Sequence, residues 1–258
     1  MAGALTAVMN GRFRFAYAIL AMALGVAIGA LVVLLTRPDA PERPWSEFRP
    51  EGDGLIAAEQ IAEAVGVRYK LPSGKQLVGV LAQQPRIGDN VPVSAIAVTT
   101  GKPDQPSEDI DVFRTNDTLL YVLCGIGGEQ CAIPEGVPST ERATLLHREA
   151  LELALYTFKY VDDTSAVLAI LPPAAGQAPN AAAYFRRSDF ADALKRPLED
   201  TLRPAERITP EGLTPRDQRD IRSLTAPDPL RERFSGIYQL QFQQSSDGSA
   251  LVVLAPAA

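Results

Sequence analysis

From Phe15 to Thr36 the chain runs for 22 residues without a charged side chain (FAYAILAMALGVAIGALVVLLT). At about 1.5 Å per residue a helix of that length covers about 33 Å, against a hydrocarbon core of about 30 Å. The run predicts a transmembrane helix over residues 15–36. It follows a short tail (1–14) and precedes a proline-rich linker (37–54) and a soluble domain (55–258). A secretory signal has a shorter apolar stretch of about 7–15 residues and then a small-x-small cleavage site. Here Arg37-Pro38-Asp39-Ala40-Pro41 follows instead, so the reading is a retained anchor. Flanking charge does not set its direction, because Arg12 and Arg14 precede the run while Arg37, Arg43 and Arg49 follow it. The first 14 residues carry no acid, whereas Asp39, Glu42, Glu47 and Glu51 interleave with the later arginines. That contrast favours a cytoplasmic N-terminus and an extracytoplasmic domain. Within the run Ala21, Gly25 and Gly29 recur every fourth residue, the spacing that lets two helices approach closely; a helix partner or homodimer is the partner expected there.

Of 25 basic side chains two lie before residue 37, so 23 remain against 31 acidic ones. An acidic domain without a basic stripe is a poor candidate for nucleic acid. Between Pro38 and Pro50 four prolines space alternating charges, which favours a stiff, extended backbone. Trp45, the one tryptophan, lies in this spacer and is read either at a membrane surface or packed on the domain.

In the domain, Leu55–Val65 has amphipathic helical spacing. Strands are expected at Gln76–Ala82, Val93–Thr99, Ile110–Arg114, Thr118–Cys124, Ala166–Leu171 and Ala182–Arg186. Gly101–Asp109 reads as a loop, Ser139–Tyr160 as a helix, Ser188–Leu194 as a short helix capped by Ser188, and Arg203–Pro229 as mostly irregular. Phe234–Gln243 and Ala250–Ala255 flank Ser-Ser-Asp-Gly, a hairpin signal. Strands outnumber helices without alternating with them, so the fold class expected is α+β with a largely antiparallel sheet, as one domain or as subdomains 55–135 and 139–258.

Cys124 and Cys131, the only cysteines, enclose Gly-Ile-Gly-Gly-Glu-Gln, a pliable loop that favours a disulfide in an exported domain. The model of chain entropy gives so short a loop about 2.5 kcal/mol. No metal site is expected, because His147 is the only histidine. On a helical projection Glu141, Arg148, Glu152 and Lys159 fall within about 40° of one another, as a solvated face. His147 falls opposite, among Ala143, Ala150, Ala154, Phe158 and Val161, where a neutral core histidine is expected rather than a base. The acidic groups Glu108-Asp109-Asp111, Asp162-Asp163, Glu199-Asp200 and Asp217/Asp220 read as solvated loops. No phosphate-binding or nucleophile-elbow motif occurs, so no catalytic, cofactor-binding or metal-binding residue is assigned.

The stretches Trp45-Ser46-Glu47-Phe48-Arg49-Pro50 and Leu146–Tyr160 (LHREALELALYTFKY), in this alanine- and proline-rich layout, resemble uncharacterised single-pass envelope proteins of high-GC, actinobacterial-type bacteria. That resemblance implies location and no activity. The function expected is a non-enzymatic interaction or assembly module of the envelope. A hydrolase using His147 or a carboxylate pair, and a ligand sensor acting through a membrane partner, are the alternatives.

Overall fold

The computed structural model describes residues 3–36, 43–87, 91–102, 105–124, 132–133, 135–205, 207–225, 235–244 and 248–256, with side chains inside those ranges from 15–31 and outside 100–109. It divides into two compact units, Met1–Arg43 and Pro44–Ala258. The first holds helix α1 (Gly3–Thr36). The second contains α2 (Gly54–Gly66), β1 (Gly79–Gln83), β2 (Arg86–Ile87), β3 (Val91–Lys102), β4 (Gln105–Arg114) and β5 (Thr118–Cys124). It continues with α3 (Thr140–Tyr160), β6 (Ala166–Ile170), β7 (Ala181–Arg186), α4 (Leu198–Thr201), α5 (Pro215–Thr225), β8 (Gly236–Gln244) and β9 (Ala250–Pro256).

The strands form one sheet in the order β1-β5-β6-β7-β8-β9-β3-β2, with β4 on the outer side of β3. Its two ends, β1 and β2, belong to one stretch of chain separated by Gln84 and Pro85, so the sheet curls into a nearly closed barrel. This corrects the expected α+β class with its largely antiparallel sheet to a mixed α/β fold around a barrel-like sheet, in which six of the eight strand pairings are antiparallel and two are parallel. β5 and β6 are parallel, joined through α3, and β3 and β9 are parallel as well. Short-range patterning carries no information on which distant strands become neighbours, and both parallel pairs join segments far apart in sequence.

Alternate residues of the same strands feed two cores. On β5, Leu119, Tyr121 and Leu123 face the cluster that includes α2 and α3, while Leu120 faces the second cluster. On β6, Val167 and Ala169 go to the first and Leu168 and Ile170 to the second; on β7, Ala183 and Phe185 oppose Ala182 and Tyr184 in the same way. Inside the barrel Leu120 lies opposite Leu168, Leu168 opposite Tyr184, and Leu240 opposite Leu254. Burial on both faces explains why TLLYVLC and AVLAI are continuously apolar rather than alternating. Each large aliphatic side chain so enclosed contributes about 1.5–3 kcal/mol of transfer free energy.

The transmembrane reading is also corrected. Among the described residues no helix is long and apolar enough to cross a membrane.

Three local expectations change. Gly101–Asp109 is not a loop: β3 runs to Lys102 and pairs with β4 from Gln105, with Gly101 opposite Pro106. Pro106 is tolerated because β4 is paired on one side only among the described residues, where a missing N–H costs nothing. Ser188 does not cap a helix; Arg187–Phe190 and Ala193–Lys195 are single 3₁₀ turns. Within the supposedly irregular Arg203–Pro229 lies α5, whose first turn is fixed by Asp217, which accepts from Thr214 N (2.8 Å) and Thr214 Oγ1 (2.6 Å).

Candidate functional site

Helix α3 organises everything that bears charge in the interior. Its start is set by Ser139, whose hydroxyl accepts from Arg142 N at 3.2 Å. Beyond its first turn it is enclosed, because it packs between β6 and β7 on one side and α2 and α5 on the other. The solvated face expected from Arg148 and Glu152 is therefore buried: each is 3% exposed, and Glu149 is 0% exposed. The helical projection assumed water on one side of α3, and the second layer of helices removes it.

Glu152 is satisfied. Its Oε2 accepts from Tyr69 Oη at 2.5 Å and its Oε1 pairs with Arg68 Nη2 at 2.5 Å, so the segment leaving α2 is fastened to α3. Burial, with the Glu152 charge adding to it, raises the Tyr69 hydroxyl well above the usual phenol range. Arg148 donates from Nη2 to Arg203 O at 2.8 Å, while its Nε finds no acceptor among the described residues. Neither oxygen of Glu149 has a hydrogen-bond partner there. Burial first, and the nearby Glu152 charge second, push its carboxyl well above the ordinary carboxylate range, so it is held as the neutral acid. Sequence patterning could have flagged it only as a third acid (Glu149, Glu152 and Glu141) on a helix too apolar to stay wet on any side.

His147 is half-buried, and burial lowers its imidazole to about 4, so it is uncharged at neutral pH. It makes no hydrogen bond among the described residues and hence has no orienting acid of the kind a catalytic triad needs. Ala143, expected beside it in the core, is exposed. The other candidate acids are not brought together. Asp162 and Asp163 are exposed, Asp217 caps α5, and Asp220 pairs with Arg203 at 3.5 Å. Glu199 and Asp200 lie exposed on α4, Asp111 is exposed on β4, and the side chains of Glu108 and Asp109 lie outside the described residues. Among the described residues no group of His, Cys, Asp and Glu is arranged to hold a metal ion. Cys124 ends β5 and is not a free thiol; Cys131 lies outside the described residues.

Two surfaces were not anticipated. The first is an aromatic clamp. Trp45 meets Tyr156 and Tyr160 edge-on at 5.4 Å and 5.6 Å, and Phe48 meets Tyr156 at 5.8 Å. Ser46 Oγ and Tyr160 Oη share a hydrogen bond of 2.8 Å, and Leu198 N donates to Trp45 O at 2.7 Å. The second half of the proline-rich spacer is thereby bound to α3, and of the two readings of Trp45 the packed one holds. The two stretches that carried the family resemblance touch each other.

The second surface is a pair of adjoining hollows near the start of α3, with volumes of about 360 Å³ and 340 Å³. Pro72 and Glu211 line both; Arg142 lines the first and Arg207 the second. Lys75 and Ser73 donate to Glu135 at the rim and hold its carboxyl below the usual range. Arg142 Nη2 donates to Glu135 O at 2.6 Å. Its guanidinium lies against Gly136, whose φ of +74° and missing Cβ the position requires.

No protein-family model, no curated protein and no solved structure matches this chain.

Proposed function

We propose that the chain is a non-enzymatic interaction or assembly module displayed outside the cytoplasm, with α1 as the assembling element. The observation that carries this reading is the exposure of α1. Phe15, Tyr17, Leu20, Met22, Leu24 and Ile28 are between 53% and 73% exposed, and every residue from 15 to 31 is exposed. A continuous apolar surface of that kind marks an interaction site. The occupant proposed is α1 of a second copy, through the face of Ala21, Gly25 and Gly29. A side-chain atom added at Gly25 or Gly29 would meet nothing within 4 Å, so that face is open to a close neighbour. The bonded state of Cys124 supports an oxidising, extracytoplasmic compartment.

The test is sedimentation equilibrium of the full-length chain in mild detergent, wild type against G25L/G29L. Wild type is expected to self-associate and the double variant to dissociate at least about tenfold more readily, a loss of about 1.4 kcal/mol. A monomeric wild type, or an unchanged association constant in the variant, overturns the reading.

A further inference from the structure

Charged side chains near a surface usually neutralise one another locally, and the hollows beside α3 depart from that habit. Glu135 is matched by Lys75. Arg142 spends its guanidinium on one backbone carbonyl and meets no carboxylate among the described residues. Glu211 and Arg207 make no ion pair or hydrogen bond through their side chains there. The order along the double hollow is therefore cation, anion, cation, with Glu211 in the shared wall. The floor between these charges is apolar: Leu71, Pro72 and Pro210, with Val137 left 76% exposed at the edge.

We infer that this double hollow binds a short zwitterionic peptide, with a carboxylate on Arg142 and an ammonium on Glu211. Each hollow falls in the size range of small-ligand sites, about 300–1,000 Å³. A guanidinium fixed by one hydrogen bond retains its other N–H groups for a carboxylate, which it takes in two-point geometry. A simple anion would gain nothing from Glu211, and a polyanion would be repelled by it and by Glu135 in a chain of net charge -6. A ligand carrying both signs a few bonds apart uses both walls, and its side chains cover Pro72 and Val137.

The probe is tri-alanine, titrated calorimetrically into the full-length chain beside its C-terminal amide and its N-acetyl form. Tri-alanine is expected to bind, and each blocked form to bind about tenfold more weakly, one lost charge-assisted contact each. E211Q is expected to weaken tri-alanine about tenfold while leaving N-acetyl-tri-alanine unchanged, and R142Q to do the same for tri-alanine against its amide. Glu211 is exposed, so E211Q keeps the test open if R142Q perturbs the loop it holds. No heat up to about 10 mM peptide, equal binding of all three forms, or an unaffected E211Q would overturn the inference. The hollows lie wholly in the 44–258 unit, so this result and the association of α1 stand or fall separately.

Discussion

Replacing Glu149 with Gln should remove a destabilisation that grows with pH. Glu149 is fully buried and keeps its proton, whereas in the unfolded chain it ionises around 4.5. Above that pH the unfolded state binds fewer protons than the folded one, so stability falls as pH rises, by about 1.36 kcal/mol per unit until the folded value is reached. His147 acts in the opposite sense. Burial lowers its value from 6.5 to about 4. Over that interval the unfolded state holds the extra proton, so stability rises with pH, by about 3 kcal/mol in all. Between pH 4.5 and 6.5 the two slopes oppose each other, and the native chain should be nearly indifferent to pH there. Once the His147 contribution is complete, the Glu149 slope is the one of the two that remains, and it lowers stability as pH rises towards the folded value of Glu149. E149Q removes the falling limb, so its stability should climb to about pH 6.5 and then level. The gap between variant and native chain should widen steadily as pH rises above 4.5, the value at which Glu149 ionises in the unfolded chain. Urea unfolding followed by the fluorescence of Trp45, the only tryptophan and one packed against Tyr156 and Tyr160, measures both profiles. Parallel profiles for the two proteins over pH 5–8 would refute the claim that Glu149 is stored as a neutral acid.

Thr157→Val deprives Tyr121 of its 2.8 Å hydroxyl partner inside the core, leaving only the 3.5 Å contact to Ala58 O. The expected loss is about 1–3 kcal/mol in urea denaturation, with rescue by the added change Tyr121→Phe. Trp45→Ala empties the aromatic clamp and should cost about 3 kcal/mol, a drop in melting temperature of roughly 6–12 °C read by circular dichroism.

How much of this was legible from residues alone depended on range. Strand β5 at Thr118–Cys124 and helix α3 after its Ser139 cap are written in local chemistry, an unbroken β-rich run and a hydroxyl one position before a helix. The curled sheet is not, because the neighbours of β5 and β3 come from β6 and β9, and nothing in either segment names its partner. α5 was hidden by its composition: PRDQRDIRSLT offers only two large apolar residues to the core, Ile221 and Leu224, and proline at its first position resembles a break. The candidate sites failed for the reverse reason. Arg148, Glu149 and Glu152 are spaced as a wet helix face should be, and only knowledge of α2 and α5 on top of them reveals that they are dry. The hollows draw on three loops that sequence separates by tens of residues, so no spacing rule could have found them.

The clamp between Trp45 and the tyrosines of α3 decides where a load on the segment that opens the 44–258 unit is felt. A pull on the chain at Trp45 is taken up at Tyr156 and Tyr160, in the last two turns of one helix. Tension of that kind shears ring contacts and a hydroxyl bond in parallel, and leaves the hydrogen-bond ladders of the barrel slack until Trp45 has let go.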